Sequence, residues 1–335
     1  MNKRLILTLL LSLLLLVGCG RGQPEHPRLP DWQLDSDRLI LSGLSSGGYM
    51  AHQLHLAWPE EVNKISLFAS GPYGCARAGV ADALNRCMYV NRGVPSAQAS
   101  LEKIQQGAQE GLLGEVEAIK NSRVFIYRAQ RDAVVLAPVT ETLHTLYTQL
   151  EPTALEKVVG AGAGHGFPAL TGNLCAANSR PYINACGFSG AAMSLDFLDG
   201  RVDAAVAAEP QGQLYPFGQR YYSGDSRGFA ETGYYYVPPQ CSEGSRECGL
   251  LVMLHGCDQS IAEVGNALIE QSGYLQQADL RDLVVLFPQA RSSMANPKGC
   301  WDWWGYESSR YDTREGLQTQ ALRAMWQTLL DSAEE

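Results

Sequence analysis

The stretch Gly43-Leu44-Ser45-Ser46-Gly47 holds residue types and spacing that suit acyl-transfer chemistry. A short apolar run, Leu39-Ile40-Leu41, predicts a buried strand that stops at Gly43, and a helix-forming stretch over 49–58 follows and halts at Pro59. A serine on so sharp a strand-to-helix turn is held strained with its hydroxyl exposed, and flanking glycines let the backbones approach closely. The free N–H groups and dipole at the helix start then face any negative charge that develops beside Ser45. A serine hydroxyl needs a base to become nucleophilic, and the base needs an orienting partner. Two further strand ends supply them. The run 123–128 leads into Ala129-Gln130-Arg131-Asp132, and Lys157-Val158-Val159 leads into the glycine-rich stretch that contains His165.

Other candidates fit chemistry less well. A second Gly-x-Ser-x-Gly match, Gly224-Asp225-Ser226-Arg227-Gly228, has no helix after it and reads as a polar hairpin turn. His52 and His55, just past the elbow, are expected to pack or to face solvent, and His144 to be a surface or packing residue on a helix over 139–150.

The elements that must position these residues form an α/β series. Strands over 39–42, 62–70, 123–128 and 157–159 are expected, with helical spacing over 100–119 and a loop over 75–93. In open parallel sheets, the loops at strand C-termini share one crevice, so Ser45, Asp132 and His165 can meet there. The order Ser, Asp, His is that of α/β-hydrolases. In that fold a strand with a His-Gly loop precedes the nucleophile and supplies half of the oxyanion hole. Here the apolar run 247–254 and its loop His255-Gly256-Cys257-Asp258 come after His165, a further strand follows over 282–288, and the chain closes with a helix over 317–330. The motif order predicts a circularly permuted α/β-hydrolase with a mainly parallel central sheet and helices on both faces. The break falls in 199–219. The strand at 250–254 should then share a sheet with that at 39–42, and the last helix should end near the start of the first strand.

The 335 residues suffice for one large α/β domain, and 45% hydrophobic with 18% charged residues is a globular composition. With 35 acidic against 26 basic residues and no Lys/Arg run beyond the N-terminus, nucleic acid is excluded as a partner. Lys3 and Arg4 precede an apolar run over 5–17, too short for a membrane span and suited to a signal peptide. Leu16-Val17-Gly18-Cys19 resembles a bacterial lipobox, which implies lipidation of Cys19 and a membrane anchor facing the periplasm or the exterior. With Gly20 next, the outer membrane is implied if the source has two. The expected organisation is a signal over 1–18, a proline-containing tether over 19–30 and a single catalytic domain over 31–335. Eight cysteines remain after Cys19, an even number that suggests disulfides in an exported protein. Spacing favours local pairs Cys75–Cys87, Cys175–Cys186 and Cys241–Cys248, leaving Cys257 for Cys300, with other connectivities open. No C-x-x-C or H-E-x-x-H occurs, so no metal site is expected.

Four segments together resemble secreted poly(3-hydroxybutyrate) depolymerases of the single-domain, circularly permuted type: 43–48, 162–168, 254–260 and 299–306. The resemblance covers nearly the whole mature chain. It implies a cofactor-free serine esterase acting on a polyester or oligoester, with Ser45 as nucleophile, His165 as base and Asp132 as orienting acid. It also implies that the N–H groups of Ser46 and Cys257 hold the oxyanion. A Cys257–Cys300 bridge would pin that loop against the tryptophan segment, where Trp301, Trp303 and Trp304 are expected to line a cleft. Many secreted members carry a separate substrate-binding domain; this chain ends at Glu335 without one, which bears on solid polymer more than on ester hydrolysis. Two alternatives stand beside it: a feruloyl- or acetyl-type carbohydrate esterase, and a non-catalytic surface lipoprotein that binds through the hydrolase fold. Oligomeric state is not readable.

Overall fold

The computed structural model describes residues 26–203, 209–242, 244 and 247–330. The expected signal peptide, Cys19 and the first part of the tether lie outside them. The first half of the chain runs through β1 (Leu39–Leu44), α1 (Ser46–Ala57), β2 (Lys64–Phe68), α2 (Val80–Asn85), α3 (Ala97–Gln109), β3 (Arg123–Ala129), α4 (Ala137–Leu150) and β4 (Ala154–Gly160). Three short strands follow, β5 (Phe167–Ala169), β6 (Asn173–Leu174) and β7 (Ile183–Ala185), then α5 (Gly190–Asp199). The second half holds β8 (Gln213–Gly218), β9 (Thr232–Val237), β10 (Gly249–Leu254), α6 (Ile261–Val264), α7 (Ala267–Gln271), α8 (Tyr274–Arg281), β11 (Leu283–Phe287) and α9 (Leu317–Leu329).

The central sheet has the order β4-β3-β2-β1-β10-β11-β9-β8. Its pairs from β4 to β11 are parallel, and β9 alone runs the other way, antiparallel to both β11 and β8. Both halves of the chain therefore build one sheet, joined where β1 pairs with β10 from Leu39↔Leu250 to Gly43↔Leu254. Counted from β8 to β11 and then from β1 to β4, the sheet reads 1-2-4-3-5-6-7-8. The third strand of that count is β10, whose loop contributes to the oxyanion hole in α/β-hydrolases, and the nucleophile strand β1 comes after it. The fold is the circularly permuted α/β-hydrolase. At the junction, Leu34 bridges Leu330 and the Leu34 N–H donates to the Leu329 carbonyl at 3.0 Å, so α9 ends where the chain enters β1.

Continuous apolar runs are what a sheet covered on both faces requires. Along β1, Leu39 and Leu41 enter one core, while Ile40 and Leu44 enter the other. Along β10, Leu250, Val252 and Leu254 face the first core, and Leu251 and Met253 the second. The first core packs against α1, α3, α4 and α9, and the second against α5, α7 and α8.

Three expectations need correction. The loop over 75–93 contains α2. The helix expected over 100–119 is α3, which starts at Ala97 and stops before Gly111 (φ 70°), a left-handed conformation that favours glycine. The tether expected to reach residue 30 is already docked before that. Leu29 is buried with its N–H on Tyr222 Oη at 2.9 Å, and the Pro27 carbonyl accepts the Gly218 N–H at 2.8 Å. Prolines suppress helix there without preventing the extended chain from packing.

Candidate active site

Ser45 sits between β1 and α1 with φ 55° and ψ −118°, a conformation that costs energy for any non-glycine residue. Its N–H donates to the Phe68 carbonyl at 2.9 Å, and its carbonyl accepts from Tyr49 at 3.0 Å. Both motif glycines are required by space. A Cβ at Gly43 would stand 2.1 Å from the Gly47 carbonyl oxygen, and one at Gly47 would stand 2.1 Å from that of Leu254. The second contact seats the elbow directly against the end of β10. Ser226, the rival, lies in the connection of the antiparallel pair β8 and β9, and its hydroxyl bonds both Glu307 carboxylate oxygens at 3.0 Å.

The other two residues meet as the strand order requires. His165 Nδ1 lies 2.9 Å from Asp132 Oδ2, and both side chains are buried. Asp132 Oδ1 accepts the N–H groups of Val134 and Val135, each at 2.8 Å, so the carboxylate is fixed by its own turn. A carboxylate on Nδ1 leaves Nε2 to handle the proton of a nucleophile. The Tyr182 ring meets the imidazole edge-on at 5.8 Å. His52 and His55 serve packing, both buried on α1. His55 is bonded to Tyr147 Oη at 2.8 Å and Ser122 Oγ at 2.9 Å. Burial lowers His52 to about 4, against the pull of the Gly71 carbonyl. Burial, with His52 alongside, lowers His55 to about 3.

The loop after β10 reaches the elbow from the far half of the chain. A Cβ at Gly256 would stand 3.4 Å from Ser45 Cβ, and Cys257 lines the same cleft as Ser45. Several groups hold this loop. The Gly256 N–H donates to Gln259 Oε1 at 2.8 Å, and the His255 ring bonds the Gly256 carbonyl at 2.7 Å and the Ala290 N–H at 3.0 Å. Burial lowers His255 to about 4, which keeps it a neutral acceptor for that N–H. Asp258 (φ 56°) takes Lys298 Nζ at 2.8 Å and Arg180 at 2.5 Å. Burial pushes its carboxyl up, but these two cations outweigh that and lower it. Cys257 is bonded to Cys300, and the other three bridges are Cys75–Cys87, Cys175–Cys186 and Cys241–Cys248, the pairs that spacing favoured.

The cleft beside Ser45 and His165 has a volume of about 350 Å³ and mainly apolar walls, including Val134, Val135, Met88, Trp303 and Trp304. Trp303 stacks on Tyr49 of α1 at 4.3 Å and meets Trp304 edge-on at 5.6 Å. Trp301 departs from expectation. It is fully buried under the His255 loop, its indole N–H on the His255 carbonyl at 3.0 Å, and so belongs to the core. The segment is not an extended strand: the Asp302 carboxylate accepts the N–H groups of Gly305, Tyr306, Glu307 and Ser308 and folds it into a turn. No cluster of three or more potential metal ligands occurs among the described residues.

Fold and site together define a serine hydrolase of the α/β-hydrolase type. No family model matches the chain. It is 35% identical over 315 residues to a poly(3-hydroxybutyrate) depolymerase of Delftia acidovorans, covering 92% of this chain and 63% of that one, so it spans less than two thirds of that relative. It is 32% identical over 324 residues to a polyhydroxybutyrate depolymerase of Talaromyces funiculosus, covering 92% of this chain and 94% of the relative. The solved depolymerase of Penicillium funiculosum superimposes with a TM-score of 0.83 at 30% identity. A serine-to-alanine depolymerase variant in complex with an R3HB trimer gives 0.85 at 30%; each alignment covers 92% of this chain and all of the solved one. The chain belongs to the poly(3-hydroxybutyrate) depolymerase family.

Proposed function

We propose that this protein hydrolyses the ester bonds of poly(3-hydroxybutyrate) or related short-chain hydroxyalkanoate oligomers through Ser45, His165 and Asp132. The observation that carries the reading is that the strained Ser45 and His165, the latter bonded to the buried Asp132, line one apolar cleft. His165 Nε2 takes the Ser45 proton as Oγ attacks the ester carbonyl, and the resulting imidazolium is stabilised by Asp132. The tetrahedral oxyanion is held by the N–H groups of Ser46 and Cys257, each such donor contributing about 3 kcal/mol to the transition state. Collapse expels the alcohol, which takes the proton from His165. Water then attacks the acyl-enzyme by the same route in reverse. The chain needs no cofactor for this. An aliphatic polyester presents apolar area and few donors, which suits a wall built of Trp303 and Trp304.

Four disulfides suit an oxidising, extracytoplasmic compartment. We add that a signal over 1–18 and lipidation of Cys19 anchor the protein to a membrane, with the domain beyond the tether facing the periplasm or exterior. Intact-mass analysis of the mature N-terminus tests this, and an unmodified start downstream of Cys19 overturns it. The activity is tested by assaying a hydroxybutyrate trimer and amorphous polymer beside feruloyl and acetyl esters, with fluorophosphonate labelling of Ser45. Turnover confined to the feruloyl or acetyl esters would overturn the substrate, and absence of labelling would overturn the catalytic reading itself.

A further inference from the structure

After β6 the chain passes back across the two loops that carry the acid and the base. There Asn178 Oδ1 accepts the N–H of Ala133 at 2.9 Å and the N–H of His165 at 2.8 Å. Ala133 directly follows Asp132, so one amide oxygen joins the backbones of two loops whose side chains form the pair. Within the acid turn, the N–H groups of Val134 and Val135 are already taken by Asp132 itself, and the Ala133 N–H is the one directed outward to Asn178.

Asn178 is itself anchored. Its Nδ2 donates to the Ala176 carbonyl at 3.2 Å, and its segment is tied down by the Cys175–Cys186 bridge. The Asn184 amide reaches the carbonyls of Gly164, Cys175 and Ala177 at 3.3, 3.2 and 3.0 Å. The base loop packs tightly on this segment, since a Cβ at Gly164 would stand 2.3 Å from the Ala177 carbonyl oxygen. Asn178 does not line the cleft, so it acts on the reaction only through its neighbours.

We propose that Asn178 is a positioning residue whose side-chain oxygen sets the spacing of Asp132 and His165 and thereby aims the imidazole at Ser45. The inference rests on the triad assigned above. Misplacing a catalytic group by about 1 Å costs on the order of 10²-fold in rate, so the loss of one backbone tie beside each partner is enough to be measured.

The test compares wild type, Asn178→Ala and Asn178→Asp in the mature chain. It reads the rate of fluorophosphonate labelling at Ser45, kcat and KM on a hydroxybutyrate trimer, and the thermal midpoint. Asn178→Ala should lower labelling and kcat together by about 10- to 100-fold with KM within about threefold, and Asn178→Asp, which keeps an acceptor, should recover to within about threefold of wild type. An alanine variant within threefold of wild type in labelling overturns the proposal, as does a loss confined to KM or one that aspartate does not rescue. If Asn178→Ala does not fold, Asn178→Ser replaces it, being too short to span both N–H groups; serine as active as aspartate overturns the proposal. Wild-type protein labelled at Ser45 but inert on the trimer would refute the proposed substrate, while the labelling rates would still judge Asn178. Wild-type protein unlabelled at Ser45 would overturn both.

Discussion

At the scale of single residues, what separates a nucleophile from an ordinary serine is its surroundings. Ser45 and Ser226 share a motif, yet Ser45 is strained and lines the same cleft as His165, whereas Ser226 donates to Glu307. Ser45→Ala should therefore reduce trimer hydrolysis by at least about 10⁴-fold, whereas Ser226→Ala should leave kcat within about threefold. A comparable loss in both variants would refute the elbow assignment. The tryptophans divide in the same way. Trp303→Ala removes a cleft wall and should raise KM on oligomers, while Trp301→Ala removes a fully buried ring and should cost about 3–5 kcal/mol in urea unfolding. Asn178 was missed in the sequence because nothing local marks an asparagine whose partners are 45 and 13 residues away.

At the scale of elements, β1, α1 and β10 form a unit that crosses the permutation. A Cβ at Gly47 would stand 2.1 Å from the Leu254 carbonyl oxygen, so the elbow is seated directly against the start of the loop proposed to hold the oxyanion. Gly47→Ala must push them apart, because backbone on backbone at 2.1 Å cannot be accommodated by a side-chain shift. The expected outcome is a fall in kcat of about 10²-fold or more, on the scale of losing an oxyanion donor. Wild-type kcat in that variant would mean that Cys257 is not a donor. Val252 on β10 is fully buried, so Val252→Ala should lower stability by roughly 2 kcal/mol without changing KM, as a core deletion away from the cleft does.

At the scale of the whole molecule, three fully buried histidines couple stability to pH. His52, His55 and His255 are lowered to about 4, 3 and 4, chiefly by burial. In the unfolded chain each binds a proton near its ordinary value of about 6.5, so between there and their folded values the unfolded state holds more protons. Their contribution is fully present above pH about 6.5 and is lost as pH falls toward 4, at up to about 4 kcal/mol per pH unit for three groups. Urea midpoints measured from pH 7 to 5 should fall, and replacing His55 with glutamine should flatten that slope. A flat wild-type profile would show that these side chains bind protons in the native state as readily as in the unfolded chain.

The sequence by itself determined the elbow, the strand ends that carry Asp132 and His165 and the permuted order of the motifs, and it favoured the local disulfide pairs without fixing them. Each of these rests on short-range patterns: glycine beside a strained serine, continuous apolar runs of strands buried on both faces, and cysteines a few residues apart. Even the permutation was legible, because a parallel sheet collects its loops at one end whatever order the chain visits them in. Only the tertiary structure decided which of three neighbouring tryptophans enters the core, how Leu29 docks, and that Arg180 and Lys298 clamp Asp258 beside Cys257. Those outcomes depend on segments up to nearly two hundred residues apart coming together, as Leu29 and Tyr222 do. A side chain's burial and partners are then set by what the folded sheet brings against it, which no local periodicity encodes.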